Sequence, residues 1–168
     1  MLTLELAGER LRLDSAAVSA LRYRSAYGES VVESLSGAGT AGELEGVLLR
    51  MVHSMLPPSS APDLRELARL ARRDGGFVLK ALTARDALLA GDSKNPVPLG
   101  EAEEGAFDEY KVLALMSTVG IDIGLIYELP ILHLLSIVRR CGELRSGEAT
   151  TYRPMTGVEM TMLYPKRR

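Results

Sequence analysis

Leu2, Leu4 and Leu6 alternate with polar residues, Ala7-Gly8 intervenes, and Leu11 and Leu13 then alternate with Arg10 and Arg12. Period-two alternation on both sides of a glycine-containing turn predicts two short antiparallel strands. A lone hairpin is marginal in water. Its leucine face must therefore pack on the helices that follow or extend a sheet in a partner.

Beyond the hairpin the period changes to that of helices. Asp14 is placed to cap a helix from Ser15 to about Tyr27, and Gly28 suits the left-handed residue that ends it. Ser30 can cap a short second helix with Val31, Val32 and Leu35 on one face. Thr40 and Glu43 form a capping box. The helix it opens has an unbroken apolar stripe of Leu44, Val47, Leu48, Met51, Val52 and Met55, and Pro57-Pro58 stops it. Leu64, Leu67, Ala68 and Ala71 mark a further helix before Gly75-Gly76, and Phe77, Ala81, Ala84 and Leu88 another before Gly91.

Residues 92–105, with Asn95-Pro96-Val97-Pro98 and the acids Glu101, Glu103 and Glu104, read as a linker. A helix from about Ala106 to Val119 follows, then a turn at Gly120. The last helix starts at Pro130, buries Ile131, Leu134, Leu135 and Val138, and is closed by Gly142. The final stretch is mostly polar, with a short strand expected at Val158–Tyr164.

The pattern predicts an α+β, mostly α-helical protein. A hairpin packs on a helical bundle in residues 1–91, and a helical extension with a polar tail occupies 106–168. A length of 168 residues suits one compact domain, or one with an appendage. Hydrophobic residues at 46% and charged residues at 25% exclude disorder over the whole chain. The two uncharged runs of the most apolar region, Val112–Ile121 and Leu129–Val138, are 10 residues each. A bilayer span needs about 20. No signal-peptide pattern opens the chain, so a cytoplasmic protein that is not secreted is expected.

Candidate chemistry is sparse. One cysteine, Cys141, excludes a disulfide framework and a cysteine-based zinc cluster. His53 and His133 lie beside apolar stripes without identifiable partners, and Arg139-Arg140 before Cys141 come with no positioned base. Gly37 and Gly39 lack the strand–loop–helix setting of a nucleotide site. No catalytic set, metal or cofactor is expected. Arg65, Arg69, Arg72 and Arg73 share part of one helix, and Arg22 and Arg24 lie on the first. A helical DNA-binding regulator is the alternative they raise. A net charge of -2 and the interleaved Asp63, Glu66 and Asp74 favour a solvated, salt-bridged face instead, so nucleic acid is not the expected partner.

The segment Leu21–Leu35 reads LRYRSAYGESVVESL. Tyr23-Arg24, a two-residue spacer, Tyr27-Gly28 and a short apolar helix follow a hairpin and precede a long amphipathic helix. This order resembles the tail assembly chaperones of long-tailed bacteriophages and prophages, over about residues 1–91. The outline of 106–145 is similar to the extension such proteins gain by ribosomal frameshifting. The resemblance implies a non-enzymatic chaperone that coats the tape measure protein during tail assembly in the bacterial host cell. It also implies self-association, with the tail tube protein as a further possible partner. Tyr23, Arg24, Tyr27 and Gly28 would carry the structural or partner-contact motif. The stripe from Leu44 to Met55 is a candidate face for a helical partner, with the monomer core as its other use.

Overall fold

The computed structural model describes residues 2–59, 61–90 and 108–146. Strands β1 (Leu2–Leu6) and β2 (Glu9–Leu13) pair antiparallel, with Leu4 opposite Leu11 and Leu2 opposite Leu13. Ala7 (φ 50°) and Gly8 (φ 90°) both have positive φ, the conformation a tight two-residue hairpin turn needs. Seven helices follow among the described residues: α1 (Val18–Tyr27), α2 (Val31–Gly37), α3 (Ala41–Met55), α4 (Leu64–Arg73), α5 (Phe77–Ala90), α6 (Glu109–Val119) and α7 (Ile131–Ser146). The fold is thus α+β and mostly helical, as the pattern predicts.

Helix α3 is the central element, flanked by α1, α2, α4 and α5. The hairpin lays Leu4, Leu6 and Leu13 onto this body beside α4 and α5. Helices α6 and α7 pack on α1 and α5, and Val112, Met116, Ile131 and Leu134 belong to the same contiguous core as Tyr23 and Met51. The 92–105 stretch lies outside the described residues, as do the expected strand at Val158–Tyr164 and the polar tail.

Several helix ends follow their local chemistry. Ser30 Oγ accepts from the Val32 N–H at the start of α2, and the Thr40/Glu43 box is complete at α3. Gly28 ends α1 at φ 78° and donates its N–H to the Arg24 carbonyl. A Cβ at Gly28 would meet nothing within 4 Å, so the constraint there is the backbone itself. Gly28→Val is therefore expected to lower stability by about 1–2 kcal/mol. Gly28→Asn should cost much less; equal losses in urea unfolding would refute the left-handed cap as the cause.

Other ends depart from the sequence expectation. Helix α1 starts at Val18 rather than Ser15, and Asp14 does not cap it. The Asp14 carboxylate instead accepts from the Ala16 N–H and pairs with Arg22, while the Ala17 N–H donates to the distant Leu129 carbonyl at 2.8 Å. Tertiary contact replaces the local cap. Helix α6 starts at Glu109, with Asp108 as its cap. Helix α7 continues through Gly142 to Ser146. An interior glycine costs a helix only about 1 kcal/mol, which its neighbours can override. A 3-10 turn at Ile123–Tyr127, capped by Asp122, joins α6 to α7 and has no periodic signal in so short a run.

A polar clasp fixes the hairpin tip. Asp74 Oδ2 accepts from the Ala7 N–H at 3.0 Å and from Lys80 Nζ at 2.7 Å, and Oδ1 accepts from the Gly76 N–H at 2.9 Å. Lys80 also donates to the Glu5 carbonyl. Lys80 first, then the two backbone N–H groups, hold the Asp74 carboxyl down from 3.8 to about 2. A carboxylate depressed in the folded state stabilises fully above its unfolded value, and that contribution is lost as pH falls through the folded value. Asp74→Asn should lower the unfolding midpoint at neutral pH and flatten the acid-induced loss between about pH 4 and pH 2. Parallel pH–stability curves for the two proteins would exclude this role.

Candidate functional site

The motif residues of the first helix form a corner around Gly28. Tyr23 is fully buried, and its ring centroid lies 4.9 Å from that of Tyr27 at 54°. Arg50 of α3 comes over both rings, with its guanidinium carbon 5.3 Å from the Tyr27 centroid and 5.8 Å from that of Tyr23. The same guanidinium pairs with Glu29 at 3.1 Å. Tyr27 Oη and His53 Nδ1 share a hydrogen bond at 3.4 Å. Burial pushes both phenols above their ordinary value, the Tyr23–Tyr27 proximity adds to this at Tyr27, and Arg50 opposes it. The Tyr23 hydroxyl lies beside Ser34 without a partner in hydrogen-bond geometry. These contacts join α1 to α3 as a staple of two tilted rings and one shared cation.

Arg24 faces the other way, toward the C-terminal helices. Its Nη1 donates to Glu109 Oε2 at 3.1 Å, Nη2 lies 3.6 Å from Asp108 Oδ1, and the guanidinium sits 5.2 Å from the Tyr110 centroid. Glu109 is buried at 4% exposure, and its Oε1 accepts the Ser30 hydroxyl at 2.8 Å. One carboxylate at the start of α6 therefore binds α1 and the cap of α2 together. A largely apolar void of about 20 Å³ lies beside it, between Ala17, which precedes α1, Ala20 and Leu21 of α1, and Val112, Ile131 and Leu134. Its lining is apolar apart from Glu109, and a water needs about two to four polar partners.

The structure places the α3 stripe inside the molecule. Val47, Leu48, Met51, Val52 and Met55 are buried in the core, and Leu44 packs half-buried against it. As a candidate partner-binding face this stripe is corrected: the hairpin, α1 and α5 need an apolar centre, and α3 supplies it. The opposite face of α3 is open. Gly42, Glu45, Gly46 and Leu49 border a groove of about 330 Å³, with Ala68, Ala71 and Arg72 of α4 on its other side.

Arg65, Arg69, Arg72 and Arg73 are all exposed on α4. None of them forms an ion pair with a described residue, whereas Arg22, Arg24, Arg50 and Arg85 each do. The expected solvated face is present and its expected salt bridges are not. Asp63 is spent on capping α4, and Asp74 on Lys80.

His133 and Cys141 lie half-buried on α7, and Glu101, Glu103 and Glu104 lie outside the described residues. Among the described residues no cluster of His, Cys, Asp and Glu could hold a metal ion, and no helix is long and apolar enough to cross a membrane. Sequence reasoning missed Arg50 and Glu109. Arg50 stands three residues before His53 on α3, a spacing that puts both on one side and could have suggested it. Glu109 carried no signal, because its partners are 79 and 85 residues away. Comparison with family profiles, curated proteins and solved structures finds no match.

Proposed function

We propose that this chain is a non-enzymatic assembly chaperone of a long-tailed phage or prophage, which holds the helical tape measure protein in the host cytoplasm before the tail tube forms. The observation that carries the reading is the corner at Gly28. The residues that resemble the chaperone motif, Tyr23-Arg24 and Tyr27-Gly28, sit where a hairpin-first chain turns from one helix into the next. There they staple α1 to α3 and, through Arg24, to α6. A motif with that placement has an architectural use and needs no substrate. Self-association and contact with the tail tube protein belong to the same proposal.

The exposed, unpaired arginines of α4 favour one second reading, a DNA-binding regulator, since phosphate contacts from arginine supply most non-specific affinity for DNA. Co-expression with the product of a long helical reading frame downstream separates the two. A soluble complex that co-purifies is expected. A chain that ignores that product and shifts a promoter fragment with steep salt dependence would establish the regulator.

A further inference from the structure

The α4 arginines form no ion pair with a described residue, and a groove lies beside them. At about 100° per residue, Arg72, Arg65, Arg69 and Arg73 spread over roughly 100° of the helix surface. Arg72 and Arg65 stand at the edge nearest the groove, next to Ala68, and Glu66 falls at the far edge beyond Arg73. The α3 side of the groove is open because α3 presents Gly42 and Gly46, without side chains, one turn apart. A Cβ on either glycine would meet nothing within 4 Å, so no contact inside the chain requires them. Glu45 stands on the α3 side of the same groove.

We infer that the α3–α4 groove docks an amphipathic helix of a partner protein, one that carries carboxylates along the edge next to α4 and small or apolar residues toward the groove. Charge complementarity selects this occupant. Arg72 lines the α4 rim, Arg65 stands beside it and Arg69 and Arg73 continue the positive surface outward, none of them ion-paired with a described residue; Glu45 on the other rim turns a carboxylate edge away from α3, which fixes the orientation of the bound helix. The partner backbone approaches closely over Gly42 and Gly46. This inference names the face that holds the helical partner of the proposed function, and it rests on that reading.

The test uses the full chain and two variants, R65E/R69E/R72E, which reverses the rim, and G46L, which fills the groove without changing charge. The probes are a labelled helical peptide with glutamates along one edge and alanine and leucine on the adjoining face, its lysine counterpart, and a labelled DNA duplex. The expected result is binding of the glutamate peptide in preference to the lysine peptide and to DNA. Each variant should weaken that binding about tenfold or more, with unchanged circular dichroism. No binding of the glutamate peptide, or equal binding by the parent and both variants, overturns the inference. Duplex DNA bound more tightly than the peptide, with G46L unaffected, overturns it in favour of nucleic acid. Co-purification of the downstream helical product by the parent and equally by both variants overturns this site and leaves the chaperone reading standing. Variant-sensitive peptide binding without co-purification sustains the site and removes the chaperone.

Discussion

Leu4→Asp is expected to destabilise the fold by about 4 kcal/mol or more, and Leu11→Asp by only about 1–2 kcal/mol, although the two leucines face each other across the hairpin. Leu4 is 4% exposed and meets the core under the sheet, whereas Leu11 is half-buried at its margin. A carboxylate at position 4 is either desolvated without a partner or protonated at a cost, and it also vacates the space of a leucine. A carboxylate at position 11 turns partly to water. Single domains hold roughly 5–15 kcal/mol in total, so the first variant should be substantially unfolded at moderate urea and the second should remain cooperative. Equal midpoints for the two variants would show that the hairpin does not dock through Leu4.

The parts of this fold that were legible in the sequence are those set by residues within a few positions of one another. The hairpin register, the Ser30 and Thr40 caps, the Gly28 ending and the buried faces of α5 and α7 all depend on local spacing. The α3 stripe was legible as a stripe, but periodicity says only that one face is apolar. It cannot say whether that face meets the chain's own core or another protein. The structure assigns it to the core because α3 lies in the middle of the bundle, and that assignment moves attention to the polar face with Gly42 and Gly46. Asp14 misled for a related reason. A good capping residue was present, yet a carbonyl from residue 129 satisfied the helix start. The arginines of α4 looked neutralised in sequence because acids alternate with them. In three dimensions the Asp63 carboxylate is engaged by the Glu66 N–H and Asp74 by backbone N–H groups and Lys80, while Glu66 forms no ion pair with a described residue. The candidate site was thus half visible: its charges could be counted, but their freedom could not.

The junction between the N-terminal bundle and α6–α7 supplies the second large effect. Ser30→Ala is expected to cost about 2–3 kcal/mol, more than a typical helix cap, because the hydroxyl has two uses. It accepts from the Val32 N–H at the start of α2 and donates to the buried Glu109 carboxylate. Its removal leaves one oxygen of a carboxylate that is 4% exposed without a donor. Glu109→Gln retains an acceptor oxygen for Ser30 and loses the charge that faces Arg24, and should cost about 1 kcal/mol. With glutamine at 109 the second penalty at Ser30 shrinks, because a neutral amide is easier to leave without a donor than a carboxylate. A double-mutant cycle should therefore show a coupling of about 1 kcal/mol. Hydrogen exchange reports where the loss falls: Ser30→Ala should speed exchange across α6 and the start of α2 together. If exchange rises only in α2 and the cycle is additive, Ser30 is a local cap and the carboxylate does not tie α6 to the bundle.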